Sequence, residues 1–414
     1  MANNLVTPTW ITKETARILV NNLKFAGTVN RDYNPQYVQA GAKVGYTVNA
    51  RLPQRFLTTK GQALQIQAIN DQFVPVTLTD QANVGIAFSS ADLTVAVDDY
   101  RERYVRPAAE QLANTIDFDG LNRLFVDVWQ NVGTPGTVPN SNLTYLQAGA
   151  LLDDAACPMD GRVACLAPIT AATLANANLA LFNPQATISE VYRKGQFGND
   201  QLGVAEWYKD QNVANYTTGT FTSSTPVVSS ANQTGSTLAT SGWASGATSF
   251  AKGDTFVVAG VFQVNPQNYQ STGQLQKFVI TQAVSDTAGA ITFNISPSII
   301  TSGNLQTVSN SPANNAIVAP IGSTITVTSG TGTMAATGTR QGLMYHPDAF
   351  TMVMVDLEMP EGGALASRVS NTQLKIALRF ARQWNIQTDQ NAARLDCLYG
   401  WKTIRPELAC RIQS

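Results

Sequence analysis

The chain has 414 residues, of which 44% are hydrophobic and 13% are charged, and its formal net charge at pH 7 is −1. This length allows two or three domains of ~100–200 residues each, and the charged fraction lies well below the ~25% of average soluble domains. The balanced charge, without a long basic run, excludes electrostatic wrapping of nucleic acid, and no stretch approaches the ~20 apolar residues of a membrane-spanning helix.

The N-terminal residues have no basic segment followed by an apolar one, so we expect no secretory signal and synthesis in the cytosol. A low charged fraction is typical of a protein that covers much of its surface with copies of itself. It is equally typical of a protein whose surface is polar but uncharged, and composition alone favours neither interpretation. The four cysteines lack zinc-site spacing and only one histidine could join them. We expect free, buried thiols, with a disulfide only after exposure to an oxidising medium.

An amphipathic helix is predicted over residues 9–25. Ile11, Ile18, Leu19 and Leu23 fall on one apolar face at helical spacing. Because this helix precedes any core-forming pattern, we expect an arm whose apolar face docks on a partner or on another subunit.

Residues 44–88 contain three runs with the alternation of β-strands. The first two runs flank a long polar stretch, and this arrangement predicts a β-ribbon with an extended tip. The charge of the ribbon is one-sided, because Arg51, Arg55 and Lys60 lie in it without any acidic residue between positions 40 and 70.

The strongest helical pattern runs from about Asp99 to Gln130, and Pro107 predicts a kink or a restart near residue 106. Eight acidic and four basic residues lie between positions 91 and 130. Glu102 and Glu110 belong to this acidic surplus, which is opposite in sign to the ribbon.

Residues 141–213 alternate between helix and strand. Local patterns predict a helix at 141–156 capped by Ser141 or Asn142, a strand at 163–167, a helix from about Thr170 and a strand at 202–208.

The composition changes sharply between Ala214 and Thr339, where Ser, Thr, Gly, Asn and Val dominate. Alternating apolar runs separated by Gly and Ser clusters predict a small β-barrel or sandwich. Strand patterns resume between residues 345 and 412, so both flanks are predicted to form one α+β domain that the β-rich block interrupts. The block contains only four charged residues: Lys252, Asp254, Lys277 and Asp286.

Catalytic constellations are absent from the sequence. His346, the single histidine, lies in His-Pro-Asp-Ala-Phe, which is typical of a turn. Ser249 and Lys252 match S-x-x-K without its companion motifs, so this match is interpreted as chance. No phosphate loop, dinucleotide fingerprint or zinc-protease motif occurs. We therefore predict a structural protein, not an enzyme, with no cofactor and no metal.

Several segments, in order along the chain, are similar to the coat proteins of tailed phages, specifically the P22-like coat family. Among them are Asp-Tyr-Arg-Glu-Arg-Tyr-Val-Arg-Pro-Ala-Ala-Glu-Gln-Leu-Ala at 99–113, which resembles the spine-helix region of that family, and Lys-Gly-Asp-Thr-Phe-Val-Val-Ala-Gly-Val at 252–261. Each segment is a loose match alone, and their common order makes the resemblance specific. Further matching segments lie at 76–93, 206–213, 264–267, 345–350 and 399–409.

The resemblance implies a Hong Kong 97-type capsid fold of the α+β class with an inserted β-barrel. It implies a major capsid protein that assembles into the icosahedral shell around the double-stranded DNA of a tailed phage or prophage. The implied parts are an N-terminal arm (1–35), an E-loop ribbon (36–90), a P-domain spine helix with the first part of the A-domain (91–215), the inserted barrel (216–340) and closing strands (341–414).

The partners implied by the resemblance are other copies of the chain in hexamers and pentamers, a scaffolding protein and a portal protein. DNA is enclosed without sequence-specific binding, no membrane is involved, and assembly takes place in the bacterial host cytoplasm before the protein resides in the virion capsid. In this fold the E-loop lies across the P-domain of the adjacent subunit. We therefore expect Arg51, Arg55 and Lys60 to contact acidic spine residues such as Glu102 or Glu110 of a neighbour.

One alternative from another class remains open at this point. The β-rich block carries many Asn and Gln side chains, and with Trp243 these are suited to facing sugars in a non-catalytic carbohydrate- or surface-binding protein. The lack of a secretion signal argues against it.

Overall fold

The computed structural model describes residues 13, 15–19, 23–33, 47–62, 66–67, 69, 71–89, 106–179, 201–326, 328, 330–360, 365–371, 376–388 and 390–414. The fold mixes helices and strands, and sheet predominates. Two compact units share the chain. The first comprises Met1–Arg51, Phe73–Leu121 and Phe350–Ile404, and the second comprises Leu52–Gln72, Asn122–Ala349 and Arg405–Ser414.

The described helices are few. The α-helices are α1 Phe25–Thr28, α2 Arg106–Leu124, α3 Asn142–Asp154 and α4 Pro168–Leu179, and single 3-10 turns occupy Phe125–Asp127, Pro347–Ala349 and Pro406–Leu408. None of these helices combines the length and the hydropathy needed to cross a membrane.

The strands fall into several antiparallel or mixed sheets. In chain order they are β1 Thr47–Arg51, β2 Phe73–Thr77, β3 Asp80–Ser89, β4 Asn131–Val132, β5 Val163–Leu166, β6 Glu206–Lys209, β7 Asn215–Thr217, β8 Phe221–Ser224, β9 Val227–Val228, β10 Gly235–Ser241, β11 Ser249–Phe250, β12 Thr255–Val264, β13 Ser271–Ile280, β14 Val284–Ser285, β15 Ala290–Ile299, β16 Val318–Pro320, β17 Gly332–Met334, β18 Gly338–Tyr345, β19 Phe350–Val355, β20 Leu365–Asn371, β21 Ile376–Asn385, β22 Gln390–Thr403 and β23 Ala409–Gln413.

The first unit is built on a five-stranded antiparallel sheet in the order β19-β22-β21-β20, with β3 also paired to β22. The predicted ribbon is present as the β1–β2 pair, in which Arg51 is opposite Phe73. The third predicted run does not extend the ribbon. It forms β3, in which Val84 pairs with Leu395 of β22.

The N-terminal segment of the first unit is held by the sheet and by α2. The amides of Lys24 and Ala26 donate to the carboxylate of Asp117 at 2.8 and 2.9 Å, which satisfies backbone donors at the start of α1. The ring of Phe25 stacks on Trp401 with centroids 5.4 Å apart. The segment after the predicted arm helix is therefore part of this unit's core.

The second unit contains a mixed sheet in the order β4-β23-β18-β5-β6, with β7 also paired to β18. Helix α3 begins as predicted, because the hydroxyl of Ser141 accepts a hydrogen bond from the Leu143 amide at 3.2 Å. The parallel β5–β6 pair confirms a strand before α4 and another after residue 202.

The β-rich block has a core of its own. Its main sheet has the order β16-β12-β13-β15-β10-β9. By contacts, the block nevertheless falls in the same compact unit as residues 122–213, so it does not separate as a unit by itself. The buried core side chains of the block all come from within it: Phe221, Val228, Leu238, Trp243, Phe250, Phe256, Val258, Val261, Phe278, Ile280, Ile291, Phe293, Ile295, Ile299, Val308, Val318, Ala319, Ile325 and Met334.

Candidate subunit-contact surfaces

The ribbon tip, residues 52–72, makes defined contacts with other parts of the second unit. Arg55 forms an ion pair of 3.4 Å with Glu407 of its own chain, and its side chain is 30% exposed. Its carbonyl oxygen accepts a hydrogen bond of 3.2 Å from the amide of Asn304. Arg55 is therefore engaged within the chain, and its pairing with a neighbouring spine remains a prediction.

The other residues of the predicted ionic contact are more open. Arg51, at the end of β1, and Lys60, in the tip, are both exposed. Glu110 is exposed on α2 and pairs with Arg106 one turn before it at 2.9 Å. Glu102 lies outside the described residues. Of the ribbon cations that the structure describes, Arg51 and Lys60 are thus the most accessible in a single chain.

Part of the predicted N-terminal apolar face is already covered within one chain. Leu19 is 0% exposed and Leu23 is 8% exposed, whereas Ile18 is half-buried. Ile11 lies outside the described residues. Docking of this face on a partner therefore remains a prediction, and Leu19 and Leu23 are not free to take part in it.

The ribbon also carries exposed apolar side chains that the charge-based reasoning missed. Ile66, Ile69 and Phe73 are 89%, 70% and 61% exposed, and Phe56 is 58% exposed. In the sequence, the signal that could have identified these side chains was the presence of isolated apolar residues inside a polar stretch. Large apolar side chains on an extended segment are typical of a protein-interaction surface.

Two of the four charged side chains of the β-rich block lie along a seam, defined here as the contact of Asp254, Lys277, Arg411, Asn131 and Tyr216. Asp254 accepts hydrogen bonds from the hydroxyl of Tyr216 at 2.8 Å and from the Gly219 and Ala251 amides at 3.0 and 2.9 Å. Burial raises the pKa of the Asp254 carboxyl, and these hydrogen bonds oppose that rise.

On the other side of the seam, Arg411 is fully buried. It donates to the Gly253 carbonyl at 2.8 Å, and its guanidinium lies 5.9 Å from the centre of the Phe125 ring. Burial lowers the pKa of Arg411 to about 10. Lys277 donates to the carbonyl of Asn131, and burial lowers its pKa. Arg411 and Lys277 therefore join the block to its flanking segments.

The other two charges of the block are also structural. Lys252 pairs with Asp127 at 3.5 Å. Asp286 accepts hydrogen bonds from the amides of Gly246 and Gly289, and the Gly246 bond is the main reason for the lowered pKa of its carboxyl. Each of the four charges of the block therefore makes a structural contact.

His346 lies in a turn, as predicted. The amide of Ala349 donates to its carbonyl at 2.9 Å, and the amide of Asp348 donates to its Nδ1 at 3.3 Å. The four cysteines are free and buried, and burial raises the pKa of the Cys397 and Cys410 thiols to about 12. Within the described ranges, no group of three His, Cys, Asp or Glu side chains is arranged to hold a metal ion.

Trp243 does not face solvent. It is 4% exposed, packs edge-on against Phe221 and Phe250, and donates through its indole nitrogen to Thr240 at 2.8 Å. The prediction that Trp243 contacts sugars at the surface of the block is therefore wrong, because its side chain is buried in the aromatic core of the block.

Comparison with known proteins gives one match over nearly the whole chain. A sequence model described as P22 coat protein, gene protein 5, matches residues 1–412. A search of curated proteins finds no match. Among solved structures, a chain of Mycobacterium phage Che8 is similar with a TM-score of 0.48 and 14% identity, covering 94% of this chain and 90% of that one. The mature capsid of bacteriophage PhiM1 has a TM-score of 0.44 and 9% identity, covering 94% and 86%. The capsid of Ralstonia phage GP4 has a TM-score of 0.41 and 9% identity, covering 94% and 88%.

Proposed function

The chain belongs to the P22 coat protein family, and on that premise we propose how its parts build an icosahedral shell. It is a major capsid protein, a structural subunit that assembles with copies of itself, and it is not an enzyme. The observation that carries this conclusion is the family match over residues 1–412.

Our proposal assigns the parts of a Hong Kong 97-type fold to the chain. Residues 1–35 serve as the N-terminal arm and 36–90 as the E-loop. Residues 91–215 supply the spine helix and the first part of the A-domain, 216–340 the inserted β-barrel, and 341–414 the closing strands. The β1–β2 pair and the self-contained core of the block support these assignments.

The shell encloses double-stranded DNA of a tailed phage or prophage, without reading its sequence. Subunits group as hexamers and pentamers, a scaffolding protein guides them in the host cytoplasm, and a portal protein occupies one vertex. The near-neutral net charge of −1 supports enclosure over tight binding, because strong binding to DNA requires many basic side chains.

Neighbouring subunits contact one another through the ribbon. Arg51 and Lys60 supply exposed positive charge, and Ile66 and Ile69 supply exposed apolar surface. Charge steers the approach and register of two copies, while burial of apolar side chains contributes most of the affinity.

Expression of the full chain followed by size-exclusion chromatography and negative-stain electron microscopy tests the proposal. A capsid subunit should yield closed shells, or shells when the neighbouring scaffold gene is co-expressed. A protein that elutes only as a monomer or small oligomer under both conditions would contradict it. The sugar-binding alternative required an exposed aromatic side chain at Trp243, and Trp243 is buried.

A further inference from the structure

Three contacts tie the ribbon tip to other residues of the second unit in the same chain. Arg55 pairs with Glu407 at 3.4 Å, and Arg405 shares the same carboxylate oxygen at 3.1 Å. Asn304 donates to the carbonyl of Arg55 at 3.2 Å. The hydroxyl of Tyr269 lies 3.4 Å from the carbonyl oxygen of Phe56 and 3.2 Å from that of Asn304, and it shares its one hydrogen between these two acceptors. Two of the three contacts hold the main chain at Arg55 and Phe56, so they do not depend on the side chains of these two residues.

The loop that presents Tyr269 is itself rigid. Asn265 accepts hydrogen bonds from the Gln267 and Asn268 amides at 2.9 and 3.3 Å through its side-chain oxygen. Its side-chain nitrogen donates to the carbonyl of Asp154, at the end of α3, at 3.0 Å. The Tyr269 amide closes the turn on the Asn265 carbonyl at 2.9 Å. The loop that contacts the tip is therefore held by hydrogen bonds that do not involve the tip.

A small cavity of about 70 Å³ lies beside these contacts, with Arg55 and Glu407 in its lining. Gln130 also lines it, is 2% exposed, and has no hydrogen-bond partner for either side-chain atom within the described chain. A cavity of this size has room for ordered water, and a buried amide requires a partner.

We propose that the inserted β-rich block is an intrachain platform that keeps the ribbon tip in an ordered path before a second copy of the chain binds. The inference rests on the proposed function, because pre-ordering matters only if copies assemble. An ordered segment loses less conformational entropy on association than a free one does. The platform holds the backbone of Phe56 while its side chain stays 58% exposed, available to a partner.

The test uses the full-length monomer and chymotrypsin. Cleavage after Phe56 requires local opening of the tip, and the carbonyl held by Tyr269 belongs to the bond that is cut. The double variant Tyr269→Phe with Asn304→Ala leaves the cleavage site itself unchanged. We expect cleavage after Phe56 to accelerate by about tenfold, since two hydrogen bonds that close the tip are lost. Cleavage after Phe73, in β2, should keep its rate and serves as an internal reference.

The matched control is Asn310→Ala, which removes an exposed asparagine bond of 3.4 Å to Gly260 elsewhere in the block. It should behave like the unmodified chain. Equal rates after Phe56 in the double variant and the unmodified chain would overturn the platform. Equal acceleration after Phe56 and Phe73 would overturn it too, because it would indicate general loosening.

A second measurement separates this inference from the proposed function. Particle formation is followed by light scattering and electron microscopy. If the unmodified chain forms particles, the double variant should form them several-fold more slowly; an unchanged rate despite an opened tip would overturn the pre-ordering role. If the unmodified chain forms no particles, the proposed function fails, and the role of the platform in assembly fails with it. The protease result still decides whether the platform holds the ribbon tip.

Discussion

Asp119 in α2 accepts a hydrogen bond of 2.6 Å from the phenolic hydroxyl of Tyr399 in β22. Tyr399 is 1% exposed, and burial, followed by the nearby Asp119 carboxylate, raises the pKa of its phenol well above the ordinary value. The phenol is therefore a permanent donor at physiological pH, and it joins the long helix to the sheet of the first unit.

Tyr399→Phe should reduce the free energy of unfolding by roughly 1.5–3 kcal/mol, the range for hydrogen bonds to charged groups. Asp119→Asn keeps an acceptor oxygen and should cost less. Urea denaturation of the monomer, followed by far-UV circular dichroism, measures both. A Tyr399→Phe midpoint equal to that of the unmodified chain would show that water replaces the hydroxyl without loss.

Gly120 is the point at which α2 approaches two aromatic rings of the first unit. A Cβ there would lie 2.7 Å from Trp401 and 2.9 Å from Phe25. Gly120→Ala should therefore cost about 1–3 kcal/mol, as overpacking does, and should alter tryptophan fluorescence. The matched control is Gly149→Ala in α3, where no atom lies within 4 Å. It should be neutral or stabilising by ~0.5–1 kcal/mol. Two equal melting temperatures would contradict the close packing.

Charge reversal at Arg51 and Lys60 tests the ionic part of the ribbon contact more cleanly than reversal at Arg55, which would also break the Glu407 pair. Exposed ion pairs contribute only ~0.2–1 kcal/mol each, but a shell repeats the contact many times. The Arg51→Glu, Lys60→Glu variant should assemble poorly at low salt and keep the melting temperature of the monomer. Normal shell yield at both low and high salt would mean that these charges only keep the ribbon soluble.

His346 should make the stability of the monomer sensitive to mild acid. Burial lowers the pKa of its imidazole below the ordinary 6.5, against the opposing effect of Asp348. The unfolded chain therefore binds the proton first as the pH falls. The stability due to neutral His346 is complete above pH 6.5 and is lost as the pH falls through the lowered value.

His346→Asn keeps an acceptor near the Asp348 amide but cannot titrate. Between pH 7.5 and pH 5.5 the unmodified chain should lose more thermal stability than this variant does. Differential scanning fluorimetry at both pH values measures the difference. Parallel losses would show that His346 does not contribute to the pH dependence.

The β-rich block should fold when residues 214–340 are expressed alone. Its core comes entirely from within that range, and Asp254 keeps its bonds to Tyr216, Gly219 and Ala251. Lys277 loses the Asn131 carbonyl, so some stability is lost. A dispersed amide spectrum with a cooperative melt is expected. A random-coil spectrum would show that the block depends on its flanks.

Local patterns predicted the elements that local physics controls. The cap at Ser141, the turn at His346 and the alternating strands of the block follow from spacing and residue type over a few positions. The family resemblance predicted the role in the shell, because matched segments in a fixed order carry information that composition lacks.

Contacts between distant segments were not predictable in this way. Arg55 and Glu407 are 352 positions apart, and no periodicity in either segment indicates the other. The pairing of β3 with β22 was missed for the same reason, since alternation shows which face of a strand is buried and not which strand lies beside it. The burial of Leu19 and Leu23 within a single chain was likewise not predictable from the helical spacing of the N-terminal segment.

The sparse charge of the β-rich block has a practical consequence. Lys252 and Lys277 hold the block to its flanks, Asp254 joins segments within the block, and Asp286 closes one of its loops. The rest of its exterior therefore consists of uncharged hydroxyl, amide and aliphatic side chains. This broad neutral surface is suited to engineering. A new lysine or glutamate there can serve as an attachment point for a dye or peptide, or can alter the electrophoretic mobility, and it meets few existing ion pairs.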